Sequence, residues 1–160
     1  MLAQQTTDLP LSTPDMRMYD IVNAVSADRL EEDITKLVGF GTRHTLSDTV
    51  SSTRGIGAAR RWIKSAFEKI SADCGNCLEV KYQRTLVEKG ANSRIVKDVE
   101  VVNVIAIQRG TQFPNRYVIM SGDIDSRVSD ANNFTDDSPG ANDNATGMAG
   151  ALEAARVLSK

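Results

Sequence analysis

The feature that most constrains this chain lies between residues 117 and 147. Tyr117-Val118-Ile119-Met120 is an apolar run that ends at Ser121-Gly122 and gives way to Asp123-Ile124-Asp125; after a polar loop, Ser138-Pro139-Gly140-Ala141-Asn142-Asp143-Asn144-Ala145-Thr146-Gly147 leads into an Ala-rich helical pattern. Carboxylates at the C-terminal end of a buried strand and at the start of the next helix converge on one crevice, the usual ligand position in open α/β sheets. Asp123 and Asp125 flank a single residue, so an extended backbone points both the same way. Asp143 lies at the helix start, and the three carboxylates can meet there. Grouped hard oxygen ligands suit Mg, Ca or Mn, and Zn when nitrogen ligands are added. The same Asp and Asn residues also work as turn formers and a helix cap. The run does not fit an EF-hand loop, because no D-x-[DN]-x-[DN]-G is present.

The segments upstream read as scaffold for that crevice. Thr13-Pro14-Asp15 starts a short helix with an apolar stripe of Met18, Ile21, Val22 and Val25. Ser26 caps a second helix, whose apolar residues Leu30, Ile34, Leu37 and Val38 share a face, and Gly39 or Gly41 ends it. Residues 40–54 carry too much Ser, Thr and Gly for a regular element and form a loop holding His44, the sole histidine. His44 lacks a partner at i+4 and reads as a structural or surface residue rather than a metal ligand.

From Gly55 to Ser71 the stripe Ile56, Ala59, Ile63, Phe67 and Ile70 predicts a helix that packs on a sheet, with Arg60, Arg61, Lys64 and Lys69 forming a solvated face. Period-two alternation over 78–87 predicts a half-exposed strand, and the continuously apolar 99–107 a central one. Tyr117–Met120 is the third strand, and an Ala-rich helix over 145–160 completes the order α-α-α-β-β-β-α. Small residues at Gly147 and Gly150 let that last helix approach the sheet closely.

A length of 160 residues and a hydrophobic share of 41% suit one domain with a core of its own. The formal charge of −2 leaves no basic surface suited to a phosphate backbone, so nucleic acid is not expected as a partner. No apolar stretch is long enough to span a membrane. Met1 to Thr7 reads either as the ordinary start of the chain or as the remnant of a trimmed secretory leader. Cys74 and Cys77 are the only cysteines, and their C-x-x-C spacing lacks the context of a redox motif or a zinc knuckle. They are either a local disulfide or two reduced thiols; the disulfide is favoured, and it places the chain in an oxidising compartment, secreted or periplasmic. Asn133-Phe134-Thr135 and Asn144-Ala145-Thr146 match the N-glycosylation pattern and are taken as accidental.

Val118 to Arg127 followed by Pro139 to Glu153, with the block Gly140-Ala-Asn-Asp-Asn-Ala-Thr-Gly147 at its centre, resembles the co-catalytic di-zinc exopeptidases of metallopeptidase family twenty-eight. Gly41-Thr-Arg-His-Thr-Leu-Ser47 and Gly55 to Ile63 are similar to the family's N-terminal helices. The resemblance implies an incomplete α/β fold, with helices on a mixed central sheet in the manner of an α/β/α sandwich. Residues 26–160 would form the N-terminal half of the catalytic domain, preceded by a segment 1–25. It also implies an aminopeptidase-like hydrolase that cleaves peptide substrates with a metal-activated water, using two Zn ions in the full domain.

By that resemblance Asp143 is the aspartate bridging two metals, and its peptide bond to Asn144 is cis. Asp125 is the catalytic support that orients the first ligand. Asp123 occupies that ligand's position, where the family pattern has histidine. This departure removes the imidazole N–H that Asp125 would accept. The added charge weakens Lewis acidity and moves the pH optimum upward, and the exchange of nitrogen for oxygen shifts preference from Zn towards Mn or Mg. The family's general base and remaining ligands follow beyond Lys160, so the 160-residue chain alone is expected to be inactive. The alternative is a non-catalytic module or inactive relative whose acidic loops hold a structural divalent cation such as Ca.

Overall fold

The computed structural model describes residues 15–159. The expectations for Met1 to Thr7 and for Thr13 and Pro14 therefore lie outside the described residues. Helix α1 spans Met16–Asn23, and the Asp15 side chain caps it by accepting the Arg17 amide at 3.0 Å. None of its residues is buried, and Met18 and Val22 face solvent. The amphipathic period was enough to form the helix, but no described element covers its apolar stripe.

Helix α2, Ala27–Val38, is capped by Ser26, whose hydroxyl accepts the Arg29 amide at 3.3 Å. It stops at Gly39, which stays right-handed, while Gly41 takes the left-handed backbone that turns the chain away. Helix α3 covers Gly55–Asp73, and Ile56, Ala59, Ile63, Phe67 and Ile70 are all buried, as their spacing predicts. One expectation fails here. Arg60, assigned to the solvated face, is only 7% exposed, because Tyr82 and the backbone of Glu100 on the sheet close over it.

Cys74 and Cys77, at the turn after α3, are joined by a disulfide, and the chain continues into strand β1, Leu78–Val87. β1 pairs antiparallel with β2, Val99–Gln108, in a register running from Leu78 opposite Gln108 to Val87 opposite Val99. Leu78, Val80 and Tyr82 are half-buried beneath α3, while Glu79, Lys81 and Gln83 are exposed, which matches the alternation. These two strands are the whole sheet among the described residues, and helices cover one face of it in a partial α/β arrangement.

The expected third strand does not form. Residues 117–120 carry no ladder, and Val118 is 94% exposed. A β-prone sequence needs a neighbouring strand to supply hydrogen bonds and a covered face, and no described segment lies beside this run.

Helix α4, Thr146–Leu158, completes the core with Met148 and Leu152 against Leu37, Phe40, Ile63 and Phe67. Glu153 joins α4 to α2. Only 3% exposed, it accepts the Ser26 amide at 2.8 Å and Arg29 Nε at 2.9 Å, while Arg156 bonds both Glu153 and Asp33. The Arg29 guanidinium above all, helped by the Ser26 amide and Arg156, pulls its carboxyl down to about 2 against the burial that opposes ionisation. No helix among the described residues is long and apolar enough to cross a membrane.

Candidate functional site

The two acidic loops meet at α4's first turn, where small residues let backbones touch. A Cβ on Gly122 would lie 2.5 Å from the Met148 amide nitrogen, closer than real side chains come. A Cβ on Gly147 would overlap the Asn144 side-chain oxygen. Gly147 is thus closely approached, but by the loop at Gly122 and the Asn144 side chain and not by the sheet as expected, whereas Gly150 faces open space.

Along the first loop, Asp123 and Asp125 are exposed while Ile124 is half-buried and Ser126 buried, so the extended backbone directs both carboxylates outward together. In the second, a five-residue π-type turn, Ala141–Ala145, is interrupted by non-helical dihedrals at Asp143 and Asn144. The Asp143–Asn144 peptide is cis, as the resemblance implies. Asp143 is exposed, and the adjacent Asn144 Oδ1 is buried without a hydrogen-bond partner.

One residue that spacing does not single out holds these loops in place. Arg43, 1% exposed, donates from Nε to the Ile124 carbonyl at 2.9 Å, from Nη1 to the carbonyls of Pro139 at 2.7 Å and Leu37 at 2.9 Å, and from Nη2 to Gly140 at 3.0 Å. It therefore grips the Asp123–Asp125 loop, the turn before Asp143 and the end of α2 at once. Burial lowers the affinity of Arg43 for its proton, and the Asp125 charge works against that shift. Gly140, left-handed at φ 51°, leaves the room; a Cβ there would sit 2.6 Å from Ser126 Cβ and 3.0 Å from Arg43 Nη2.

A hydroxyl chain backs the same seam. The Arg43 amide donates to Ser126 Oγ at 3.0 Å, Ser126 Oγ donates to the Ser138 carbonyl at 2.6 Å, and the Ser138 amide donates to the Gly41 carbonyl at 2.9 Å. The only sequence signals for this machinery are a basic residue in a Gly/Thr-rich loop and serines beside the two acidic motifs.

Asp125, which has no imidazole to accept from, instead accepts the Thr45 hydroxyl at 3.2 Å. His44 is buried and structural. Its Nδ1 accepts the Leu46 amide at 3.0 Å and its Nε2 lies 3.0 Å from the Ala131 carbonyl, which leaves neither nitrogen for a metal. Asn144 of the second glycosylation pattern has its side-chain oxygen buried, and Asn133 of the first is taken up with Thr135 and Asp136.

The donor set fits a divalent cation in kind but not in number. Asp123, Asp125 and Asp143 offer hard oxygens on two adjoining loops, yet among the described residues no three His, Cys, Asp or Glu side chains gather into a group that could hold a metal ion. Like charges on exposed side chains repel and gain from separate hydration, so clamped backbones alone do not draw the carboxylates together.

Residues 103–160, which contain both acidic loops and the motif around Asp143, match the sequence model of Peptidase family M28. The chain is 48% identical over 147 residues to a probable zinc metalloprotease of Pyrenophora teres f. teres, with 92% of this chain and 30% of the relative covered. Proteins of the same description from Leptosphaeria maculans and Pyricularia oryzae are 46% identical over 147 residues and 42% identical over 146, covering 92% and 91% of this chain but 34% and 29% of themselves. The chain spans about a third of the length of these curated relatives. No solved structure matches it.

Proposed function

We propose that the chain contributes the first carboxylate ligands to the metal centre of a zinc-dependent exopeptidase of the aminopeptidase type, with peptides as substrate. The observation that carries this reading is the clamp: Arg43 binds the carbonyls of Ile124, Pro139 and Gly140, so the Asp123–Asp125 loop and the turn before Asp143 are held side by side. Kinship to proteins described as probable zinc metalloproteases supports zinc as the metal.

In this reading Asp143 and Asp123 hold metal, and Asp125, oriented by the Thr45 hydroxyl, is the supporting carboxylate beside them. When bound, the metal supplies Lewis acidity and an activated water. The remaining ligands and the general base come from the rest of a longer protein, so the 160-residue chain alone does not hydrolyse peptides. With oxygen in place of nitrogen at Asp123, Mn and Mg compete with Zn more effectively than at a histidine site. The Cys74–Cys77 disulfide supports a secreted protein.

Equilibrium dialysis against Zn, Mn and Ca tests the ligand assignment. Asp143→Asn and Asp123→Asn should each lower metal uptake by at least the roughly tenfold that loss of a mere outer-shell partner of a metal ligand costs. Uptake unchanged in both variants sinks the assignment. Asp123→His should move preference towards Zn. Cleavage by the longer protein of an unblocked peptide but not of its amino-acetylated form tests the aminopeptidase direction.

A further inference from the structure

Arg43 and Arg60 are both buried guanidinium groups, but only Arg43 is satisfied. Every nitrogen of its guanidinium donates to a carbonyl. Arg60, on the sheet side of α3, makes one long bond, Nη1 to the Glu100 carbonyl at 3.4 Å, and its buried Nε has no partner. No carboxylate lies within ion-pair distance of it among the described residues. Burying a cation without a counter-charge is costly, and native structures seldom leave such a donor unpaired unless something outside the chain pairs with it.

Arg60 lines a groove of about 590 Å³ between the start of α3, the loop after His44 and the distal half of the hairpin. Arg61, Arg84 and Lys97 stand around it, with Tyr82 and Thr45 completing the polar wall. Asp98 and Glu100 share the rim, but both are engaged: Asp98 Oδ1 accepts the Lys89 amide at 2.8 Å, and Glu100 Oε2 accepts Arg84 Nη1 at 2.5 Å. The Lys97 ammonium sits 4.3 Å from the Phe134 ring centroid and not against a carboxylate. Arg84 is thus paired with Glu100 and Arg61 donates to the carbonyls of Thr49, Val50 and Ser51, so four cations face two acids and Arg60 and Lys97 are the ones without a carboxylate partner among the described residues.

We propose that this groove is a binding site for a small oxyanion, phosphate or carboxylate, held by Arg60 at its base with Lys97 and Arg84 at its mouth. A guanidinium offers parallel N–H donors in the spacing of two oxygens of such a group, which makes arginine the natural floor for it. The site uses none of Asp123, Asp125 or Asp143 and does not depend on the metal reading.

The test is titration of the full chain with inorganic phosphate and, in a separate arm, with succinate, at ionic strength held constant by chloride. Binding is followed by calorimetry and by backbone amide shifts. The expected result is saturable binding, with shifts confined to residues 45–47, 60–61, 82–84 and 97–100. Lys97→Glu, at an exposed position that leaves folding intact, should weaken binding on the order of tenfold, as expected for losing one charge-assisted contact. Arg60→Met should abolish binding, and Arg60→Lys should restore part of it. Saturation by one anion alone identifies which oxyanion the groove takes. No saturation above the chloride control by either anion, or unchanged affinity in Lys97→Glu, overturns the proposal.

Discussion

Two buried seams hold this molecule together, and they use opposite chemistry. At the acidic loops Arg43 is surrounded by neutral carbonyls, bonding four of them with no carboxylate in salt-bridge contact. At the α2–α4 contact Glu153 is surrounded by charge: Arg29, Arg156 and the Ser26 amide converge on it, and Asp33 steadies Arg156 from the far side. The first seam fixes where loops run, because carbonyls are part of the backbone. The second joins two helices through side chains. Only the second is built on a carboxylate, since the bonds of the first go to carbonyls, so pH should separate them.

The largest effect should come from the carbonyl seam. Arg43→Met removes four hydrogen bonds from a charged donor and leaves the Ile124 and Pro139 carbonyls without one, while Leu37 and Gly140 keep backbone amides, and should cost about 4 kcal/mol. Urea unfolding measures it, and a cost below about 1 kcal/mol would show that the loops hold themselves in place. Arg43→Lys should recover little, since one ammonium cannot span carbonyls on three segments.

Acid should act next, and on the other seam alone. Glu153 titrates near 2 in the folded chain against an ordinary value of 4.5. A carboxyl held below its unfolded pKa contributes stability that is complete above that unfolded value and is lost as pH falls through the folded one. The window is therefore from about 4.5 down to about 2, and the loss is roughly 3 kcal/mol. Glu153→Gln should lower stability at pH 7 and flatten this acid slope, whereas Arg43→Met should keep it. An acid slope that persists in Glu153→Gln would assign it to other carboxylates.

Smaller effects probe how the loops touch. Gly147→Ala would press a methyl group into the Asn144 side chain and should cost roughly 1–3 kcal/mol, as overpacking does. Crystallography of that variant should find the turn around Asp143 displaced. Thr45→Val removes only the hydroxyl that Asp125 accepts, at the solvent edge, and should change stability by less than about 1 kcal/mol. If metal uptake falls in Thr45→Val while stability holds, Thr45 has taken over the orienting part that an imidazole N–H would otherwise play.

Periodicity carried the helices and the hairpin. Ser26 and Gly39 mark the ends of α2, the stripe from Ile56 to Ile70 is the buried face of α3, and alternation from Leu78 to Tyr82 tells the covered side of β1 from the wet one. These are local properties, set by the geometry of one element and legible in a short window. The motif Gly140–Gly147 likewise pointed to the family whose sequence model matches residues 103–160. Tyr117–Met120 shows the limit of such reading, since strand-forming residues become a strand only where another backbone offers its hydrogen bonds.

Charged residues lay further beyond reach. Arg43, Arg60 and Glu153 look like ordinary surface residues in one dimension, and nothing in their spacing announces burial. Whether each is exposed, satisfied or left wanting depends on which carbonyl or guanidinium arrives from a segment tens of residues away. By itself the sequence determined the helices and the hairpin, their apolar faces and the acidic motif at the head of α4. Only the tertiary structure decided that Arg43 would bind both acidic loops, that Glu153 would gather two arginines and that Arg60 would be buried without a counter-charge, because pairing and desolvation depend on the whole fold and not on any one stretch of it.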